Sequence, residues 1–400
     1  MNVKFRLILM NFMQYAVWGA WLISLGGYLG DSLRFDGLQI GSFFATMGIA
    51  SVFMPAIAGI VADRWIPAQK VLGICHLTAA LLLLAAAPQT DYAQLYPLML
   101  LSVMFYMPTI AISNSVAYNA LSRAGMDSVK AFPPIRVWGT VGFICAMVGV
   151  DLLGFTHTSG QLYLSSGIGF ALGVYAFTLP GCAVTRDPEK KSWIDGLGLR
   201  AFSLFRQRKM AIFFIFSMLL GMSLQITNAF ANSYLTTYFG RMPEYQGTFG
   251  VEHANILISL SQLSEALCIL LIPFFMKRFG IKKVMLISMV AWVLRFGLLG
   301  AGNPGSGVWM LVLSMVVYGV AFDFFNISGS LFVEQETNSA IRSSAQGVFM
   351  IMTNGFGAII GSYAAGAVVD ACRWPLSWFV FSGYALVVAV AFMLSFKHDH

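Results

Sequence analysis

The chain has 400 residues, 58% of them hydrophobic and 10% charged, against roughly 25% charged in a soluble domain. That balance excludes a soluble globular protein, and the apolar runs leave too little polar chain for an extramembrane catalytic domain. The formal charge of +7 comes from Lys and Arg gathered in the loops, so it reports membrane topology and does not mark a nucleic-acid binder.

Twelve apolar stretches are each about 18–27 residues long, enough to cross a ~30 Å hydrocarbon core. Six lie at 5–29, 38–62, 71–88, 95–118, 133–155 and 161–182. Six more follow at 210–234, 253–276, 284–302, 307–332, 343–369 and 375–396. Lys4 and Arg6 precede the first, as in a secretory signal. Its apolar run is too long for one, and no small-residue cleavage pattern precedes Asp31, so an uncleaved span is expected. The expected division is 1–182, a linker at 183–209, and 210–400. The linker carries seven of the basic residues. Trp193, Leu197, Leu204 and Phe205 make it partly amphipathic, so it either lies along the membrane surface or simply joins two related halves.

With both termini cytoplasmic, 19 of the 24 Lys and Arg face inward. Arg34, Arg241 and Arg373 face out, and Arg136 and Arg295 fall within spans. That asymmetry sets the orientation expected. Cys75, Cys145, Cys182, Cys268 and Cys372 are scattered, without metal spacing or a disulfide framework, and read as packing residues. His76 opens the third span, and His157 and His253 fall at the outer surface, so none is placed for a central proton relay. The glycines of NGFGAIIGSYAAG (354–366) allow close packing or a bend.

The two halves show internal similarity. SVMFYMPTIAISNS (102–115) aligns with SMVVYGVAFDFFNI (314–327), pairing Ser102 with Ser314, Tyr106 with Tyr318 and Asn114 with Asn326. GIVADRW (59–65) corresponds to PFFMKRF (273–279) at nearly the same offset. Parallel six-span repeats are the plan of major facilitator transporters.

Two carboxyl groups, Asp323 and Glu265, lie deep within apolar spans, where an ionisable group is costly and points to function. Other polar residues recur at i,i+3 or i,i+4 and so share helix faces. These are Arg136 with Thr140, followed by Phe143; Gln225 with Asn228; Gln262 with Glu265; Tyr318 with Phe322; and Asp323 with Asn326. Amides donate to and accept from a base or a sugar, carboxylates accept from hydroxyls, and aromatic faces stack. Nucleosides and sugars both suit this set. No Lys/Arg cluster marks a phosphate site. Each amide also reads as interhelical glue, and the charges as a satisfied structural network. Arg136 follows Pro133-Pro134, a pair that fits a helix start, which places it at the cytoplasmic edge. Arg295 reads as a snorkelling or locally paired residue of an outer helix.

GIVADRW resembles the Gly-x-x-x-Asp-Arg loop of the major facilitator superfamily, with Ile66-Pro67 replacing the usual Gly-Arg continuation. FPPIRVWGTVGF (132–143), MAIFFIFSMLLGMSLQITNAF (210–230), SQLSEALCILLIPFF (261–275), AFDFFNISGS (321–330) and IRSSAQGVFMIMTNGFG (341–357) are similar to the bacterial nucleoside:proton symporters of that superfamily. The similarity runs from QYAVWGAWLISLGGYL (14–29) to the last span. It implies an all-α membrane protein of the major facilitator fold, with twelve transmembrane helices in two pseudo-symmetric halves. It implies proton-coupled nucleoside uptake by alternating access, in a bacterial cytoplasmic membrane, by a single chain.

In that arrangement spans 1, 4, 7 and 10 line the cavity and 2, 5, 8 and 11 flank it. The resemblance therefore brings Arg136, Thr140, Phe143, Gln225, Asn228, Gln262, Glu265, Tyr318, Phe322 and Asp323 to the substrate. Glu265 and Asp323 are its candidates for proton coupling. No cofactor, metal, catalytic residue or nucleic-acid partner is expected. A transporter for another polar solute, such as a sugar, is the competing expectation; a drug exporter, sensor or membrane enzyme fits less well.

Overall fold

The computed structural model describes residues 2–182, 199–337 and 342–396, helices joined by turns and short irregular connections, with no strand among them. Helix α1 spans Val3–Gly19 and starts where the Asn2 side chain accepts the Lys4 N–H at 3.1 Å. The chain then turns through 20–24 and becomes helical again, closing with a wide π turn at Tyr28–Ser32. Then come α2 (Gly37–Arg64), α3 (Ala68–Ala86), α4 (Tyr92–Arg123), α5 (Ser128–Leu152) and α6 (Gly160–Ala176). All of GIVADRW but its final Trp65 forms the last turns of α2, and the loop begins only at Trp65.

After the connection comes a short 3₁₀ segment, Leu199–Arg206, then α7 (Arg208–Ser233), continued by a π turn at Tyr234–Tyr238. Ala254–Ala301 is a 48-residue run whose backbone breaks at Gly280, with φ 74. Only glycine adopts that conformation cheaply, so the run is two helices, α8 (254–279) and α9 (281–301). Helix α10 is Val308–Glu336. Helix α11 runs over 342–372, with a π segment at Ile351–Gly357, and α12 is Leu376–Ser395.

Nine helices among the described residues are long and apolar enough to cross a membrane. The twelve-span expectation departs from this in three places. Helices α1 and α6 are 17 residues each, shorter than a full crossing of 18 or more, and the 48-residue run Ala254–Ala301 counts once although the break at Gly280 divides it into α8 and α9. Helix α5 begins five residues before Pro133; the Asp127 carbonyl already accepts the Ala131 N–H at 2.9 Å. The proline pair therefore sits inside the helix and does not start it.

Residues 2–34 and 49–182 make one compact unit. In it α1 lies directly on α5, because a Cβ on Gly142 would collide with the Phe12 carbonyl. Serine hydroxyls tie α6 to its neighbours. Ser165 donates to the Val17 carbonyl at 2.7 Å and Ser166 to that of Ala80 at 2.8 Å. In a lipid setting, where apolar contact alone drives little association, such small-residue contacts and hydroxyl bonds hold helices together.

Residues 35–48 and the described residues from 199 onward make the second unit. Here Gly221 of α7 abuts the Thr353 backbone of α11, and Gly319 of α10 abuts the Ser264 backbone of α8. The Asp370 carboxylate of α11 accepts the N–H groups of Gly37 at 2.7 Å and Leu38 at 3.0 Å, satisfying the first turn of α2. The tail of the linker is not free: Leu204 is buried, and Phe205 packs on Phe214 of α7 at 5.2 Å. Trp193 and Leu197 lie outside the described residues.

The sequence repeat has a structural counterpart inside each unit. Ser102 of α4 donates to the Ala79 carbonyl of α3 at 3.0 Å, and Ser314 of α10 donates to the Arg295 carbonyl of α9 at 3.0 Å. One turn on, Tyr106 meets the His76 ring edge-on at 5.9 Å, as Tyr318 meets Trp292 at 6.1 Å.

Candidate binding site

In the first unit the site residues of α5 face α1. The Arg136 guanidinium lies 3.9 Å over the Tyr15 ring, and Gly139, one turn on, leaves room for that ring. Thr140 is half-buried on the same face. Phe143 is buried and meets Trp18 edge-on at 6.3 Å. Arg136 is thus held along a helix face by an aromatic ring.

Behind these residues is a buried network that the sequence reading overlooked. Gln14 offers its carbonyl to the Tyr106 hydroxyl at 2.7 Å, its side-chain NH₂ donates to Thr109 at 2.7 Å, and its side-chain oxygen bonds His76 Nε2 at 2.7 Å. His76 is fully buried. Gln14 thereby ties α1 to α3 and α4 and fixes the backbone register of Tyr15 and Trp18. The signal was present: Gln14 sits one residue before Tyr15 in an apolar span, where an amide needs partners.

In the second unit Tyr318 and Phe322 stack one turn apart, at 5.8 Å and 8° between planes. Asp323 follows, 3% exposed, with Oδ2 buried and unpaired. Glu265, half-buried on α8, is close enough for its charge to act on both Asp323 and Tyr318. Gln262 is half-buried one turn earlier. On α7, Gln225 is buried with Oε1 unpaired, and Asn228 is half-buried one turn on. Among the described residues neither amide hydrogen-bonds to α8 or α10, so they are not side-chain glue between those helices.

Of the two readings of Arg295, snorkelling is contradicted and the local pair is borne out. Arg295 is 2% exposed, donates to the Ser314 carbonyl at 2.7 Å, and lies 4.6 Å from the Tyr318 ring centroid. The span number suggested an outer helix; the face of α9 that carries Arg295 packs on α10.

Membrane-length helices that bury single carboxyl and guanidinium groups beside stacked aromatics define a polytopic membrane transporter. A family model described as nucleoside H+ symporter matches residues 1–400. Nucleoside permease NupG of Escherichia coli (strain K12) is 49% identical over 407 residues, covering 100% of this chain and 97% of that one. The xanthosine permease of the same organism is 51% identical over the same length, with the same coverage. A crystal structure of the nucleoside transporter NupG matches with a TM-score of 0.94 at 49% identity, covering 100% of both chains. The chain belongs to the nucleoside H+ symporter family and has the all-α major facilitator fold. Its relatives are permeases, and it is a transporter, not an enzyme.

Proposed function

We propose that this chain takes up nucleosides together with protons by alternating access. The observation that carries this reading is a stacked aromatic pair, Tyr318 and Phe322, directly beside a buried carboxyl oxygen without a partner on Asp323. Aromatic faces suit a nucleobase, and an unpaired buried acceptor suits a ribose hydroxyl or a base N–H. Gln225 presents a second unpaired buried acceptor of this kind. Asn228 and Gln262 complete the contacts proposed for the second unit, and Arg136, Thr140 and Phe143 are the contacts proposed for the first.

Coupling requires that one group's proton occupancy depend on the substrate, as any linkage between two ligands does. If the substrate contacts one of two neighbouring carboxyl groups, their shared charge passes that contact on to the proton occupancy of the other. Asp323 is proposed as the direct ligand and Glu265 as the proton carrier. The proposed working unit is a single chain in a bacterial cytoplasmic membrane, both termini inside, needing no nucleic acid.

The test is uptake of labelled uridine and adenosine into proteoliposomes, with and without an imposed pH gradient, under competition by sugars. Accumulation driven by external acid and untouched by sugars is expected. Uptake indifferent to the gradient overturns the coupling, and displacement by sugars in place of nucleosides overturns the substrate class.

A further inference from the structure

Each unit contains the same helix junction, and the two junctions differ at one informative position. In the first, the Ser102 hydroxyl closes on the Ala79 carbonyl and the Tyr106 ring meets His76. In the second, the Ser314 hydroxyl closes on the Arg295 carbonyl and the Tyr318 ring meets Trp292. The corresponding residues are His76 with Trp292 and Ala79 with Arg295. An alanine is therefore sufficient to build the junction, and the second unit carries an arginine there instead.

That arginine is costly. It is 2% exposed within a membrane span, and among the described residues none of its hydrogen-bond partners is a carboxylate. One nitrogen donates to the Ser314 carbonyl at 2.7 Å and more weakly to Ser261 Oγ at 3.4 Å, while Nε has no partner. Its plane is spent on Tyr318, over whose ring it sits at 4.6 Å. Tyr318 in turn stacks on Phe322 at 5.8 Å, nearly parallel, and Trp292 blocks its edge. A planar, delocalised cation on an aromatic face is the contact that guanidinium makes well and ammonium makes poorly.

We infer that Arg295 is a positioning residue for substrate recognition. Its guanidinium, anchored to Ser314 one turn before Tyr318, clamps that ring parallel to Phe322, so the two rings present one aromatic surface to a nucleobase. The inference rests on the proposed role of Tyr318 and Phe322 in binding. Arg295 acts through Tyr318 and need not touch the substrate.

The test is a double-mutant cycle on the full-length, detergent-solubilised chain, with uridine as the probe and calorimetric Kd as the readout. Arg295→Ala installs the residue that the first unit carries, and Arg295→Met keeps the bulk without the charge. Both are expected to run as monodisperse particles and to weaken uridine binding about tenfold, the scale of a desolvated cation–π contact. Arg295→Lys is expected to fall between them and the parent. In a Tyr318→Ala background, adding Arg295→Ala is expected to change Kd by less than about twofold, because coupled residues do not add.

Unchanged binding in Arg295→Ala, or a further tenfold loss in the Tyr318→Ala background, overturns the inference. So does loss of the monodisperse particle in both the alanine and methionine variants, which assigns the arginine to the fold. Tyr318→Ala separates the two claims: if it binds uridine like the parent, the proposed binding role of Tyr318 fails. If it weakens binding while Arg295→Ala does not, only the positioning role fails.

Discussion

Asp323 and Glu265 share a unit, and each feels the other's charge, yet their surroundings differ. Asp323 is almost wholly buried beside Phe322, whereas Glu265 is half-buried on α8. Glu265→Gln is expected to keep nucleoside counterflow and to lose pH-driven accumulation. Asp323→Asn is expected to lose both, because it changes an acceptor that the ligand needs. Counterflow and gradient-driven uptake measured on the same vesicles check the pair, and the opposite pattern swaps the roles.

Another titratable residue lies outside the spans. His157, half-buried between α5 and α6, stands 3.8 Å from Asp31. Burial holds its pKa below the usual 6.5, outweighing the upward pulls of Asp31, the Gly27 backbone and Asp151. The unfolded chain therefore takes up this proton more readily than the folded one, so stability falls as pH drops below about 6.5. His157→Gln is expected to flatten the fall in melting temperature of the solubilised protein between about pH 7 and pH 5.

At the scale of elements, helix positions were legible from apolar runs and helix ends were not. Pro133-Pro134 read as a start, yet α5 begins at Ser128 because Asp127 already opens the hydrogen-bond ladder. The π turns at Tyr28–Ser32, Tyr234–Tyr238 and Ile351–Gly357 left no local mark, since such widening is settled by what packs against the helix. Span number suggested snorkelling for Arg295 for a related reason, and it left the burial of His76 unread. It says which helix is peripheral, not which of its faces is buried. The repeat was the better guide, because its Ser and Tyr positions mark the junctions at which those two residues sit. Helix α2 shows how an end is held from elsewhere: its first two N–H groups rest on Asp370. Asp370→Ala is expected to cost about 0.5–2 kcal/mol, the usual worth of such a cap, visible as a lower melting temperature in detergent.

At the scale of the whole molecule, class and family were readable because they rest on features that tertiary structure does not alter. Span length, the distribution of Lys and Arg, and blocks such as AFDFFNISGS are all present in the linear chain. The buried polar links, from Gln14 to His76 and from Arg295 to Ser314, join residues on different helices, so a lone amide or guanidinium in an apolar span shows that a partner is needed but not which residue supplies it. The proposed topology places 183–209 and both termini inside and 235–251 outside. A single cysteine introduced at Glu189, in a background lacking the native five, is expected to resist a membrane-impermeant maleimide in intact cells and to react after permeabilisation. Ready labelling of intact cells reverses the orientation.

Residues 35–48 belong with a unit whose remaining members begin beyond residue 198. A ribosome adding roughly 5–20 residues per second delivers Gly37 and Gly41 tens of seconds before the Ser362, Gly366 and Asp370 they will meet. During that wait the small-residue face of α2 lacks the α11 backbone it will pack on. A frameshift or stop codon in the last fifth of the message thus damages more than the spans it deletes. It also strands a helix made near the beginning, and quality-control proteases have an early segment to recognise as well as a late gap.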